Sequence, residues 1–170
     1  TGAGARVIEE RRQGYGSALG RGIRESTGDV VVLGDADGSY RFDDLGPLVE
    51  AVQGGADLAM GSRLRGELEP GAMPWLHRRL GTPVLTFLVN RLFGTRISDI
   101  NCGQRALRGD KARALDLRAA GMEFASEMVI KAGKARLDVA EIPITLHKDA
   151  RTRRPHLRTW RDGWRHLRFM

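Results

Sequence analysis

The stretch VVVLGDADGSY, residues 30–40, places a run of four apolar residues directly before two carboxylates that lie one residue apart. A continuous β-branched run is typical of a strand buried on both faces of a parallel sheet. Asp35 and Asp37 therefore follow a predicted strand, at the kind of sheet edge where α/β proteins bind ligands. Their oxygens suit Mg²⁺ or Mn²⁺, and such an ion would bridge a diphosphate. The alternative is a solvated turn at Asp37 and Gly38.

Helical and strand patterns alternate on both sides of this stretch. The alternation predicts an α/β fold with a mostly parallel sheet flanked by helices. A further strand is expected within residues 94–108. Helices are predicted at residues 17–27, from Asp43 or Asp44 to about 53, at 75–93, 124–134 and 159–169, and strands at 5–8, 30–33, 56–60 and 137–144.

The long amphipathic segment at residues 75–93 is expected to kink at Pro83. Most of its apolar stripe is expected to pack against the core. A membrane surface is the alternative, because arginines lie near both ends of the segment. The stripe comprises Leu76, Leu80, Val84, Phe87, Leu88 and Leu92, and the arginines are Arg78, Arg79, Arg91 and Arg96.

Composition places the chain among ordinary globular proteins, with 170 residues, 41% apolar and 29% charged. The single cysteine, Cys102, rules out an internal disulfide and fits a reducing compartment. No apolar run approaches the roughly 18 residues that span a bilayer, and no signal peptide is evident. The sequence opens on threonine rather than methionine, which suggests a piece of a longer protein.

The positive charge is concentrated at the C-terminal end. From His147 to Met170, eight Lys or Arg residues and two Asp residues supply +6 of the net +7. A basic loop at 151–158 precedes an amphipathic helix that pairs a tryptophan stripe with an arginine stripe, which suits an anionic membrane surface. Docking of its apolar stripe on the core is the alternative. The predicted division is a catalytic domain at 1–150 and a membrane-proximal loop and helix at 151–170.

Four motifs occur in a fixed order along the chain. They are GYGSALGRGI at 14–23, DADGSY at 35–40, GSR at 61–63 and SDINCGQRALR at 98–108. In this order they resemble the family 2 glycosyltransferases with a GT-A fold, in particular the dolichyl-phosphate or polyprenyl-phosphate mannose or glucose synthases. The later segments GMEFASEMVIKA and EIPITL are also similar to that group. The resemblance implies that a first βαβ unit, which holds much of the donor's nucleotide base, is missing here.

The resemblance implies roles for the carboxylate pair and its neighbours. Asp35 would contact the ribose or diphosphate side of a nucleotide-sugar and help hold the metal, and Asp37 would be the main ligand of a Mg²⁺ or Mn²⁺ ion. Arg63 would bind the donor or acceptor phosphate, with a surface ion pair as the alternative.

Three further residues are candidates for the catalytic side of the site. Asp99 would work on the acceptor side, orienting an acceptor that is already ionised or acting as a base for a hydroxyl, and its alternative is a loop Asp that caps a turn. Arg105 is expected to partner the carboxylates. Glu127 is expected to be buried near the site, in the apolar FASEMVI segment, whereas Glu123 is expected at a solvated helix start.

In the resembled family a basic loop closes over the diphosphate, which implies phosphate-binding roles for a group of arginines in the tail. A histidine in the same loop is a candidate metal ligand, with a solvated side chain as the alternative. The arginines are Arg151, Arg153, Arg154 and Arg158, and the histidine is His156.

The implied function is metal-dependent, inverting transfer of a hexose from a nucleotide-sugar to polyprenyl phosphate at the cytoplasmic face of a membrane. A glycan or another alcohol is an alternative acceptor. A phosphatase-like enzyme with an aspartyl nucleophile would place its first Asp on the first strand, which the order of elements disfavours. A basic nucleic-acid binder would leave DADGSY and SDINCGQR unexplained, so nucleic acid is not an expected partner.

Overall fold

A computed structural model describes residues 4–148 of the chain. Its helices are α1 Tyr15–Glu25, α2 Gly46–Gln53, α3 Thr82–Phe93, α4 Gly109–Ala114 and α5 Phe124–Lys134, and a 3₁₀ turn at Phe42–Leu45 and a π-helix at His77–Gly81 lead into α2 and α3. Its strands are β1 Val30–Leu33, β2 Leu58–Ser62, β3 Arg105–Arg108 and β4 Val139–Pro143.

The four described strands form one mixed sheet in the order β1-β3-β2-β4. β3 runs antiparallel to both β1 and β2, whereas β2 and β4 are parallel. Three strands therefore point the same way and β3 points against them. The carboxyl ends of β1, β2 and β4 meet at one edge of the sheet, where β3 begins.

Helices cover both faces of the sheet. Leu58 and Met60 of β2 face a large core that includes Phe124 and Met128 of α5. The intervening Ala59 faces the other side and packs against Leu48 of α2. Alternate residues of β2 thus enter two separate cores, as the pleat of a strand requires. Because β2 is buried along its whole length, it fixes the position of the residue that follows it.

The predictions for β1 and α5 are confirmed, since 30–33 is a strand and 124–134 a helix. The strand expected at residues 5–8 is wrong: this segment is largely exposed and pairs with no strand among the residues described. Asp43 and Asp44 belong to the 3₁₀ turn instead of capping α2.

The first helix begins at Tyr15, two residues before the predicted start. Gly14 adopts a φ of 145°, and a Cβ on Gly14 or Gly16 would collide with backbone oxygens of Ala120 or Ala119. The two glycines therefore let α1 start in close contact with this neighbouring segment.

The segment at 75–93 differs most from expectation. Pro83 lacks an N–H, and the turn before it widens into the π-helix. Core packing of the apolar stripe is wrong, because five of its six predicted members are exposed: Leu76, Leu80, Val84, Phe87 and Leu92.

The inner face of α3 makes both apolar and polar contacts, and its Val89 is fully buried in the main core. Thr86 accepts the N–H of Ile100 at 3.3 Å, and the Asn90 amide donates to the carbonyl of Ile97 at 2.8 Å. Through these bonds the inner face of α3 also holds the segment that follows it. Across residues 4–148, no helix combines the length and the apolar character needed to cross a bilayer. The helix predicted at 159–169 lies outside the described residues.

Candidate functional site

The sheet edge where β1 and β2 end gathers the candidate residues from three separate motifs. Asp35 and Asp37 follow β1, Arg63 follows β2, and Asp99 lies in the segment between α3 and β3. The shared direction of β1 and β2 delivers the first two motifs to one edge. The hydrogen bonds from α3 bring the third motif there.

Asp35 lies against the loop before β3. A Cβ on Gly103 would overlap the Asp35 carboxylate, so only glycine at 103 admits this approach. The Tyr15 hydroxyl hydrogen-bonds Asp35, and burial first, then the charge of Asp35, raise the pKa of Tyr15 above its ordinary value. Asp35 is thus held between the start of α1 and the 103 loop.

Asp37 shapes the loop that follows β1. Its Oδ1 accepts the N–H of Ser39 at 3.0 Å, and the Ser39 carbonyl accepts the N–H of His147 at 3.0 Å. Tyr40 then packs in a small apolar cluster with Cys102. A turn at Asp37, the alternative interpretation of this stretch, is therefore present, and the loop is held by the bond of Ser39 to His147 and by the packing of Tyr40.

Asp99 and Arg63 form a buried bidentate ion pair. Asp99 is 0% exposed, and its Oδ2 and Oδ1 accept Nε and Nη2 of Arg63 at 2.6 and 2.8 Å. The same carboxylate also accepts the backbone N–H of Arg63 at 3.1 Å and that of Asn101 at 3.2 Å. Burial opposes the charge of the guanidinium, but Asp99 outweighs it, so the pKa of Arg63 is raised.

A second carboxylate, Glu141 of β4, holds the backbone next to Asp99. Its Oε1 accepts the N–H of Ser98 at 2.6 Å and the N–H of Asp99 at 3.3 Å. The Ser98 hydroxyl contacts the same oxygen at 3.0 Å and also lies 2.7 Å from the hydroxyl of Ser62. Ser62 is the last residue of β2, so this network links the end of β2 and the middle of β4 to the Asp99 segment.

Arg105 is buried and bonds backbone carbonyls rather than carboxylates. Its guanidinium donates to the carbonyl oxygens of Cys102, Ile100 and Ala125 at 3.0, 2.7 and 2.9 Å. Burial lowers the pKa of Arg105, and the charges of Asp99 and Asp35 partly offset this effect. The expected carboxylate partnership is therefore one of charge at longer range, while the hydrogen bonds brace the 100–102 loop.

Glu127 is buried as expected, and its carboxylate holds backbone and a lysine. It accepts N–H groups from Arg118 at 3.0 Å and Ala119 at 2.8 Å, and Lys131 pairs with it at 2.9 Å. These contacts give Glu127 a clear role in fixing the 118–119 segment. Its catalytic assignment stays a prediction.

The remaining site predictions lie outside the described residues: Arg151, Arg153, Arg154, Arg158 and His156. Within residues 4–148, no cluster of three or more His, Cys, Asp or Glu side chains is arranged to hold a metal ion. Asp35 and Asp37 nonetheless offer hard carboxylate oxygens at a half-buried edge. This donor set fits an Mg²⁺ or Mn²⁺ ion that takes its other ligands from a diphosphate and water.

Three residues that shape this site carry no clear signal in the sequence. Tyr15 precedes the predicted start of the first helix, Gly103 is one glycine among many, and Glu141 is one residue of a predicted strand. A hint for Glu141 was available, since a carboxylate in the otherwise apolar segment VAEIPI, residues 139–144, needs a partner when buried.

Comparison with known proteins gives a consistent result. The model of "Glycosyl transferase family 2" matches residues 2–115. The low-salt glycan biosynthesis hexosyltransferase Agl6 of Haloferax volcanii is 45% identical over 168 residues, which are 98% of this chain and 40% of that protein. A dolichyl-phosphate hexose transferase of the same organism is 29% identical over 147 residues, covering 86% of this chain and 63% of the relative. The chain thus spans less than two thirds of either relative.

A solved structure shows the same fold at low identity. Glucosyl-3-phosphoglycerate synthase from Mycobacterium tuberculosis, in complex with Mn²⁺ and UDP-glucose, superposes with a TM-score of 0.62 and 22% identity. The match covers 91% of this chain and 55% of that one. The predicted GT-A-like α/β architecture is confirmed.

Proposed function

Because the chain belongs to glycosyl transferase family 2, we propose that the protein transfers a hexose from a nucleotide-sugar to polyprenyl phosphate with inversion at the anomeric carbon. The observation that carries the proposal is the shared sheet edge, where Asp35 and the buried Arg63–Asp99 pair all lie close enough to Tyr40 for their charges to act on it. Asp37 follows Asp35 in the same loop. Relatives named as hexosyltransferase and dolichyl-phosphate hexose transferase support it.

The carboxylate pair is proposed to face the donor. Asp35, fixed by Tyr15 and Gly103, contacts the ribose or diphosphate side, and Asp37 with Asp35 would hold Mg²⁺ or Mn²⁺. When bound, such an ion neutralises the charge that develops on the leaving diphosphate. His156 is a further candidate ligand, and Arg151, Arg153, Arg154 and Arg158 are candidates for binding the diphosphate oxygens.

The Arg63–Asp99 pair is proposed to face the acceptor. An oxygen of the acceptor phosphate attacks the anomeric carbon, the bond from that carbon to the diphosphate breaks, and the nucleoside diphosphate leaves with the electron pair. One displacement inverts the centre and needs no enzyme nucleophile. Cys102 is fully buried, and burial raises its pKa to about 11, which leaves it poorly suited to that role.

The hydrogen bonds that Asp99 accepts from Arg63 favour a phosphate acceptor over a hydroxyl acceptor. Arg63 holds both carboxylate oxygens, so Asp99 is poorly placed to remove a proton. A phosphate monoester is already ionised at neutral pH and needs no base. Asp99 would then orient Arg63 toward the phosphate, while a glycan or alcohol acceptor would require a base that the described residues offer less readily.

An anionic membrane surface at the cytoplasmic face is the proposed place of action. The apolar stripe on the π-helix and α3 is exposed, with Phe87 at 66%, and Trp75 just before it is 72% exposed. Arg78 and Arg79 lie within the same segment, and Arg91 lies in its last turn. Exposed aromatic and aliphatic side chains beside arginines suit the boundary between acyl chains and anionic headgroups, where a lipid phosphate is met.

The test uses protein expressed from its complete coding sequence, with UDP- and GDP-hexoses, a short polyprenyl phosphate, and Mn²⁺ or Mg²⁺. Asp37→Ala is expected to abolish metal-dependent transfer while the melting temperature stays near that of wild type. Asp43→Ala, which removes an exposed carboxylate from the following 3₁₀ turn, is the matched control and should transfer normally. Full transfer by Asp37→Ala would overturn the metal assignment, and no transfer by the wild type to any polyprenyl phosphate would overturn the acceptor.

A further inference from the structure

Glu141 carries more contacts to the site than its place on an edge strand requires. One carboxylate oxygen meets three donors from two consecutive residues, namely the N–H and hydroxyl of Ser98 and the N–H of Asp99. The Glu141 side chain is only 3% exposed. Burial of a carboxylate is unfavourable unless its oxygens are bonded, and all three hydrogen bonds to this oxygen come from one short loop segment.

We infer that Glu141 is a positioning residue that sets the acceptor-side pair Arg63–Asp99, an inference that rests on the proposed glycosyl transfer. Backbone N–H groups turned into a protein need acceptors, and a carboxylate supplies bonds about twice as strong as a neutral oxygen. Glu141 therefore fixes the backbone of Asp99, and the side chain of Asp99 in turn binds Arg63.

The backbone of Asp99 is fixed on both sides. Glu141 holds the N–H of Asp99, and Thr86 of α3 holds the N–H of the next residue, Ile100, at 3.3 Å. With its main chain held between β4 and α3, Asp99 presents its carboxylate to Arg63 in one direction. Binding of a phosphate by a guanidinium depends on that direction, because a misplacement of about 1 Å lowers rates by orders of magnitude.

The second oxygen of Glu141 connects the same network to an exposed arginine. Oε2 lies 3.4 Å from Nε of Arg65, whose side chain is 56% exposed. Arg65 follows Arg63 by two residues, so the two arginines after β2 are each matched to one of the two buried carboxylates. The pairing partly balances the charge of Glu141, which is otherwise held by dipoles alone.

The experiment compares Glu141→Ala with Asp57→Ala in the protein expressed from its complete coding sequence. Asp57 is the matched control: its carboxylate accepts a backbone N–H from Asp138 at 3.1 Å and pairs with Arg108 at 3.6 Å, at the opposite end of the same two strands. Steady-state transfer gives separate KM values for donor and acceptor. Amide hydrogen exchange reports protection at Ser98 and Asp99.

Glu141→Ala is expected to raise the KM for polyprenyl phosphate about tenfold, with the donor KM within about twofold of wild type. Protection of the Ser98 and Asp99 amides should fall in the same variant. Glu141→Gln keeps one acceptor oxygen without the charge and should recover part of both effects. Asp57→Ala should lower the melting temperature and leave the acceptor KM and these amides unchanged.

Unchanged acceptor KM and unchanged amide protection in Glu141→Ala would overturn the inference. So would equal changes in donor and acceptor KM that follow only the loss of stability, as a purely structural residue would give. If the wild type transfers no sugar to polyprenyl phosphate, the proposed function fails. The amide protection of Ser98 and Asp99 then still decides whether Glu141 positions this segment.

Discussion

Replacement of Asp99 by Asn should be one of the most damaging conservative changes in this chain. The substitution keeps the volume of the side chain and removes its charge. Asp99 is 0% exposed and Arg63, its partner, has a side chain that is 13% exposed. Breaking a buried ion pair by removing one partner costs about 3–5 kcal/mol, because the other charge stays buried without compensation.

The structure places the expected cost near the lower end of this range. Arg63 retains slight access to water, and the Asn oxygen still accepts one of its hydrogen bonds. We therefore expect the free energy of unfolding to fall by about 3 kcal/mol, a large share of the roughly 5–15 kcal/mol that stabilises a typical domain. For a domain of this size the melting temperature should fall by about 6–12 °C.

A double-mutant cycle measures the pair itself. Arg63→Met removes the guanidinium and keeps an unbranched side chain, and Asp99→Asn with Arg63→Met removes both charges. The double variant should be more stable than the sum of the single effects predicts, by about 2 kcal/mol. Unfolding in urea, followed by tryptophan fluorescence and circular dichroism, gives the four free energies.

The control for this cycle is an exposed pair of the same type. Asp110 pairs with Arg108 at 3.1 Å, and their side chains are 59% and 47% exposed. Asp110→Asn should cost less than about 0.5 kcal/mol. If Asp99→Asn costs no more than this control, or if the cycle with Arg63→Met is additive, then the two residues do not form the buried pair from which the acceptor site is argued.

Three other outcomes are expected. Gly103→Ala should reduce transfer about 100-fold, because the added methyl group would collide with the carboxylate of Asp35. Gly22→Ala, which has open space around it, should leave the rate unchanged. The pKa of Cys102 rises from 9.0 to about 11 in the folded chain, so the folded state keeps a proton that the unfolded state loses. Stability should therefore fall by roughly 2 kcal/mol between pH 9 and 11, and Cys102→Ala should reduce that fall in pH-dependent urea titrations. Phe87→Ser should lower the affinity for anionic vesicles about tenfold, as measured by co-sedimentation. Val7→Ser, which changes an exposed apolar residue elsewhere, should leave that affinity unchanged.

Local patterns predicted the framework of the fold well. The run VVVL became β1 and the segment from Phe124 to Lys134 became α5, because each has one strong periodic or β-branched pattern that its surroundings reinforce. The strand at 5–8 failed for the opposite reason. Its short apolar run has the composition of a strand, but composition does not supply the neighbouring strand that a ladder needs.

The apolar face of α3 exposes a limit of periodicity. The pattern identified which side of the helix is apolar, and the inference that this side faces the core did not hold. The opposite side carries Val89, which packs in the main core. It also carries Thr86 and Asn90, which bond the backbone on either side of Asp99. No helical wheel distinguishes a polar face that meets solvent from one that meets unsatisfied backbone groups, because the two differ only in tertiary contacts.

The sequence motifs identified individual candidate residues, but they did not predict the contacts between residues that lie far apart in the chain. The positions of Asp35, Asp37 and Asp99 followed from motifs. The grip of Asp99 on Arg63, which lies 36 residues earlier in the chain, depends on β2 and the α3 exit meeting at one edge. The role of Glu141, 42 residues beyond Asp99, depends on the same meeting point.

These long-range contacts explain why the motifs occur at fixed places on the fold. Residues from other parts of the chain hold each candidate group in place. Asp35 is held by Tyr15 at the start of α1 and by the close approach of Gly103. Asp99 is held through its side chain by Arg63 and through its backbone by Glu141. A site built in this way loses little entropy when a charged ligand arrives, because its side chains are already oriented. Under the proposed function, these oriented charged groups would meet the phosphates of the donor and of the acceptor at a single sheet edge.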